Sequence, residues 1–163
     1  RKFPDLNGLI PVPDAKIERV VRALIDARPD LCNKVTVQDC RAGMRARAVL
    51  MSSGTMSLAC SIAGIPGVIA YRAHPLTYWL GRYLVKVPYL GMANLLLPEA
   101  PPYQEFLQGA ANGQTLAKAM SVFLESKDRR LAFEESAKTL TGALAQPHER
   151  GSAEWLLQEG GLG

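Results

Sequence analysis

Histidine and cysteine are both scarce in this sequence, with two and three copies in 163 residues, and neither is spaced to build a site. His74 and His148 lie far apart and lack the i, i+4 partner that sets two imidazoles on one helix face, which argues against a metal centre. Cys32, Cys40 and Cys60 are odd in number and include no Cys-x-x-Cys pair, so reduced cytosolic thiols are expected rather than a disulfide frame. Cys60 falls in an apolar segment where a small buried hydrophobe is expected, not a nucleophile. No segment of about 18 or more apolar residues occurs and no secretory signal is visible, so any membrane association is expected to be peripheral. Charge runs are missing too. The net charge of +4 comes from dispersed Lys and Arg, which offers no nucleic-acid arm and fits a solvated surface, with anionic lipid or nucleotide phosphate as the alternative. Internal repeats and low-complexity tracts are absent, and the one Pro-rich piece, Pro98 to Pro102, reads as an ordered loop or turn.

What is present is enough apolar material, 48% of residues, for one ordinary core. The pattern alternates. Strands are expected at Gly8 to Val12, Lys34 to Val37, Ala48 to Met51 and Val68 to Tyr71. Helices are expected at Asp14 to Ala27, Cys40 to Ala46 (short) and Thr55 to Ala63. Asp14 is a fitting N-cap, and Ile17, Val20, Val21 and Leu24 form the stripe of an amphipathic helix. Near-continuous apolar strands alternating with helices imply an α/β fold whose parallel sheet is covered on both faces. A helix is expected from Pro75 to about Val85 and a last short strand at Tyr89 to Ala93. Beyond Gln108 the pattern turns to helices, Gly113 to Glu125, Asp128 to Ala143 and Glu149 to Gln158, the first with a core face of Leu116, Met120, Phe123 and Leu124. The chain opens at Arg1 rather than Met and runs almost directly into a strand, so it reads as an excised part.

The segment Ala48 to Arg72, AVLMSSGTMSLACSIAGIPGVIAYR, carries the chemistry. A buried strand, the turn Ser52-Ser53-Gly54-Thr55, a helix and a second strand make a phosphate-binding layout. The first amides of the helix point at the turn, with the positive end of its dipole behind them. Ligands bind outside the carboxyl ends of strands in open α/β sheets, so Ser53, Gly54, Thr55, Tyr71 and Arg72 are expected on one rim.

The segments that follow are more specific. With SGT upstream, the order AYR-x-x-PLTYWL-x-R-x-LVKVPY (Ala70 to Tyr89), NLL (Asn94 to Leu96) and EFLQ (Glu105 to Gln108) resembles the carboxyl-terminal half of the lipid-A-disaccharide synthase family, from about Phe3 to about Leu124. These are bacterial glycosyltransferases with two Rossmann domains. The resemblance implies a Rossmann-like UDP-sugar-binding domain over residues 1–110, missing its first strand, with a helical extension over 111–163. It implies transfer of diacylated glucosamine from a UDP-linked donor to a diacylated glucosamine 1-phosphate, releasing UDP. The expected transferase is inverting and metal-independent, with no cofactor beyond the UDP-sugar substrate. It implies an upstream amino-terminal domain that holds the catalytic base, so the fragment alone is expected to be inert. An oligomer is compatible with it, and nucleic acid is not an expected partner. The implied location is cytoplasmic, peripheral at the inner face of the bacterial inner membrane. Ser53, Gly54, Thr55, Tyr71 and Arg72 are the expected UDP or phosphate contacts. Asn94 is expected to meet a sugar or phosphate oxygen, and Glu105 and Gln108 to meet the donor or brace the loop that does.

Two departures from the family pattern stand out. The family's ribose-gripping glutamate, four positions beyond the SGT turn, is replaced here by Ala59. The Gly-Arg pair that follows NLL is replaced by Leu97-Pro98-Glu99-Ala100. Both keep open a diverged or inactive paralogue acting as a nucleotide-sugar-binding or membrane-docking module. In the helix Pro75 to Val85, one face of Leu76, Trp79, Leu80 and Tyr83 packs on the sheet in one reading. In the other, Trp79, Arg82, Tyr83 and Lys86 form an aromatic and basic surface that meets the membrane.

Overall fold

The computed structural model describes residues 3–40, 45–52, 54–74 and 88–145. The chain divides into two compact units, Arg1–Arg45 and Ala46–Gly163. Among the described residues every strand pairing is parallel, as the alternating pattern implies, and the pairings fall in two sheets, one in each unit.

The first unit is a β-α-β crossover. Strand β1 (Gly8–Val12) pairs with β2 (Val35–Asp39) in register from Gly8↔Val35 to Val12↔Asp39, with α1 (Ala15–Asp26) between them. Asp14 caps α1 as expected, its Oδ1 accepting from the amides of Lys16 at 2.8 Å and Ile17 at 2.9 Å. The covered face of α1 differs from the expected stripe. Its half-buried residues are Glu18, Val21 and Ile25, whereas Ile17, Val20 and Leu24 are exposed. Two strands are too narrow to cover an apolar arc of that width.

In the second unit, β3 (Val49–Met51), β4 (Gly67–Tyr71) and β5 (Gln104–Leu107) make a sheet in the order β3-β4-β5. Gly67 is required where β4 meets β3, because a Cβ there would lie 1.9 Å from the Val49 carbonyl oxygen. Helices cover both faces. Ile69 enters a core with Met51, Cys60, Ala93, Tyr103, Phe133, Ala137 and Leu140, which draws on α2 (Thr55–Ile62), α3 (Met92–Leu96) and α5 (Lys127–Ala145). Val68 and Ala70, pointing the other way from the same strand, pack with Phe106, Ala111, Leu116, Met120 and Phe123, the last three on α4 (Gly113–Glu125). Arg47 and Arg130 donate to the Leu124 and Phe123 carbonyls at the carboxyl end of α4, where cations satisfy both the open acceptors and the dipole.

Residues 89–93, expected as a strand, instead lead into α3. Leu95 N–H bonds to the Gly91 carbonyl, and among the described residues the only β contact there is a single parallel bridge, Gly54↔Gly91. The third strand of the sheet is β5, which overlaps the EFLQ motif. Of the expected helix Cys40 to Ala46, residues 41–44 lie outside the described residues, and Arg45 and Ala46 are not helical. The helices expected at Pro75 to Val85 and Glu149 to Gln158 also lie outside them.

Tyr103 anchors the larger core. It is 2% exposed, stacks at a tilt on Phe133 with centroids 5.1 Å apart, and donates its hydroxyl proton to the Ile65 carbonyl at 2.9 Å. Burial, reinforced by neighbouring Cys60, pushes its phenol well above the ordinary value. The folded state therefore keeps this proton where the unfolded chain loses it. That contribution to stability is complete below about pH 10 and is lost as pH rises further. Tyr103→Phe should lose about 1 kcal/mol at neutral pH from the missing hydrogen bond, yet decline less steeply above pH 10 or so. Urea denaturation across this range checks it, and equal slopes for parent and variant would show that the phenol ionises freely in the fold.

Candidate functional site

Because β3, β4 and β5 run parallel, the turn after Met51, the exit of Arg72 from β4 and Gln108 after β5 all lie at the carboxyl edge of one sheet. This is where the phosphate layout needs them. Gly54 is the N-cap of α2, with φ +105° and ψ −149°, a region only glycine enters without strain. Among the described residues nothing beyond its chain neighbours lies within 4 Å of the place a Cβ would take, so on their side the space above Gly54 is open.

The carbonyl of Gly54 is held from inside. Ser57 Oγ donates to it at 2.7 Å and the amides of Ser57 and Met92 approach it at 3.3 and 3.5 Å. In a trans peptide the N–H points opposite to the C=O, so the Thr55 amide faces away from these donors. Thr55 is exposed, and its amide, in the first turn of α2, has no intrahelical acceptor. A donor aimed outward at a helix start can take an anion. Ser57 itself is fully buried and also accepts from Ala93 N–H at 3.2 Å, tying α2 to α3.

The NLL and EFLQ residues meet behind this turn. Asn94 is 0% exposed, and its whole amide is engaged: Nδ2 donates to the Tyr103 carbonyl and to Glu105 Oε1, both at 2.8 Å, while Oδ1 accepts from Tyr103 N–H at 3.0 Å. The Glu105 carboxylate accepts from the amides of Leu90 and Gly91, each at 2.9 Å, as well as from Asn94. Gly91 permits this approach, since a Cβ there would meet Ile69, Glu105 and Ser57. In this structure, then, Asn94 and Glu105 spend their polar groups on bracing Gly91, which bridges Gly54. Gln108 likewise bonds the backbone of Ala73.

Arg72 is exposed and Tyr71 half-buried at the end of β4. Ala59 is exposed one helical turn beyond Thr55, on the same face of α2. Cys60 is buried, and burial pushes its thiol up, as suits an inert core residue. Ser53, Trp79, Arg82, Tyr83 and Lys86 lie outside the described residues. Sequence reasoning missed Ser57, Gly91 and Tyr103. Ser57 had a local signal, a serine three residues after the glycine of the turn, but the partners of the other two are brought in by the fold. A cavity of about 500 Å³ in the same unit, lined by Tyr103, Phe123, Arg129 and Phe133 among others, includes none of the turn residues.

Comparison of the sequence with known proteins identifies its family. The family model described as lipid-A-disaccharide synthetase matches residues 1–159. A lipid-A-disaccharide synthase of Glaesserella parasuis is 32% identical over 139 residues, covering 84% of this chain and 36% of the relative. Those of Yersinia pseudotuberculosis and Sodalis glossinidius are 35% and 36% identical, over 82% and 80% of this chain. The chain thus spans about a third of the length of the curated relatives it matches. No solved structure matches it. With the family model covering nearly every residue, including the turn after β3 and the bracing motifs behind it, this chain belongs to the lipid-A-disaccharide synthetase family.

Proposed function

We propose that this chain is the nucleotide-binding part of a glycosyltransferase that moves diacylated glucosamine from a UDP-linked donor to a diacylated glucosamine 1-phosphate, releasing UDP. The observation that carries the reading is the outward Thr55 amide beside open Gly54, in a chain of this family. Charge builds on the diphosphate as the anomeric bond breaks. Fixed amide and hydroxyl dipoles at Gly54 and Thr55, with Ser53 preceding them and the guanidinium of Arg72 at the end of the neighbouring strand β4, stabilise that charge without a metal ion. Tyr71 completes the rim. The catalytic base belongs to an amino-terminal domain. Both substrates carry acyl chains, so the enzyme works at a membrane surface, at its cytoplasmic inner face, with Trp79, Arg82, Tyr83 and Lys86 as the docking residues. No described helix is long and apolar enough to cross a membrane.

Ala59 sharpens the test. A glutamate at this position would sit one turn from Thr55 on the exposed face, and helical side chains lean toward the amino end, here toward the turn. Ala59→Glu should therefore recover a grip on the ribose hydroxyls and tighten UDP binding by up to about tenfold, less the rotamer entropy of the new side chain. Calorimetric titration of UDP and 2′,3′-dideoxy-UDP, with a chelator present, decides it. Equal effects on both ligands would remove Ala59 from the ribose site. Absence of UDP binding by the intact protein would sink the nucleotide reading altogether.

A further inference from the structure

Strands β4 and β5 pair in register as far as Tyr71↔Leu107. One residue further on, the side chain of Gln108 takes over from the backbone. Its Oε1 accepts from Ala73 N–H at 2.9 Å, and its Nε2 donates to the Ala73 carbonyl at 3.2 Å. A carboxamide offers one acceptor and a donor, the same pair a peptide group presents. Gln108 thus meets both backbone groups of Ala73, as a neighbouring strand residue would.

This clamp is held against a backbone preference. Gln108 has φ +52°, and it is the only non-glycine residue with positive φ among the described residues. The region is sparsely populated for residues with a Cβ, and such outliers persist where the surroundings over-determine them. Glycine would take this conformation more readily but would carry no carboxamide. The residue before Ala73 is Arg72, the exposed cation at the end of β4.

We infer that Gln108 is a positioning residue for Arg72. By fixing both backbone groups of Ala73 it sets the direction in which the chain leaves β4, and so presents the guanidinium to the diphosphate at the sheet edge. The inference rests on the nucleotide reading of that edge. Only a carboxamide can meet both groups of Ala73 at once, since Gln108→Glu retains an acceptor for Ala73 N–H but turns a carboxylate oxygen toward the Ala73 carbonyl.

A double-mutant cycle in the intact protein, read by calorimetric titration of UDP and of uridine, tests this. Arg72→Ala and Gln108→Glu should each weaken UDP binding by about tenfold, and the double variant should be no weaker than Arg72→Ala within about twofold. Uridine, which offers Arg72 no phosphate, should bind all of them like the parent. Gln108→Gly relieves the backbone strain, so it supplies a folded variant without the clamp, and it too should lose UDP affinity. Independent addition of the two effects would overturn the positioning role. So would a parallel loss of uridine binding, or parental UDP affinity in Gln108→Gly. Parental UDP affinity in Arg72→Ala would instead overturn the phosphate reading of Arg72 itself.

Discussion

Asn94→Asp is expected to cost the second unit about 3–5 kcal/mol, despite being a change of one atom type. Asn94 is completely buried and donates both Nδ2 protons, one to the Tyr103 carbonyl and one to Glu105. Aspartate in the same pose would retain the acceptor for Tyr103 N–H and lose both donors. An oxygen would then face a carbonyl and a carboxylate in a water-poor setting, where each unmet group keeps its full desolvation cost. The consequence spreads beyond the pair, because Glu105 also holds the amides of Leu90 and Gly91 and thereby the bridge to Gly54. Denaturant titration of the parent and the variant measures the effect. A variant with the parent's stability that no longer binds UDP would mean instead that Asn94 touches the ligand.

Gly54→Val is the companion experiment for the turn. Its largest effect should fall on binding, with UDP affinity reduced at least about tenfold, because a branched side chain would occupy the open space an anion needs beside the Thr55 amide. A stability loss of about 1–3 kcal/mol is expected as well, from placing a β-branched residue at φ +105°. This loss comes from backbone strain, since among the described residues nothing beyond the chain neighbours lies within 4 Å of where a Cβ would stand. The two contributions separate experimentally. Thermal unfolding without ligand reads the strain, and UDP titration of the folded variant reads the blocked approach. Unchanged affinity in a folded variant would rule the turn out as the diphosphate site.

Local pattern made much of the fold legible. The strands at Gly8–Val12, Val49–Met51 and Gly67–Tyr71 and the helices α1, α2, α4 and α5 are within a few residues of where periodicity and caps put them. Each is specified by residues close together: Asp14 caps α1 and Asn112 caps α4 through their own neighbours. The exceptions share a physical origin. Gln104-Glu105-Phe106-Leu107 is half polar, and it forms a strand because β4 offers an open edge and because Glu105 finds donors at Leu90, Gly91 and Asn94. Residues 89–93 look apolar enough for a strand, yet with that edge taken by β5 the chain turns into α3 instead. On α1, periodicity identifies the apolar stripe but not which part of it a two-stranded ladder covers.

The sequence alone therefore determined the α/β class, the parallel direction, the strand-turn-helix at Gly54 and Thr55 and, through its motifs, the family. All of these depend on the order of residues along a short stretch. Only the tertiary structure decided what the motif side chains do. Asn94 and Tyr103 are nine residues apart, and Gln108 and Ala73 thirty-five, so their hydrogen bonds exist only once β4, β5 and α3 are packed together. A polar side chain in a motif has the same donors and acceptors whether it meets a ligand or a backbone. Burial and the direction of its partners distinguish the two, and both are properties of the folded chain.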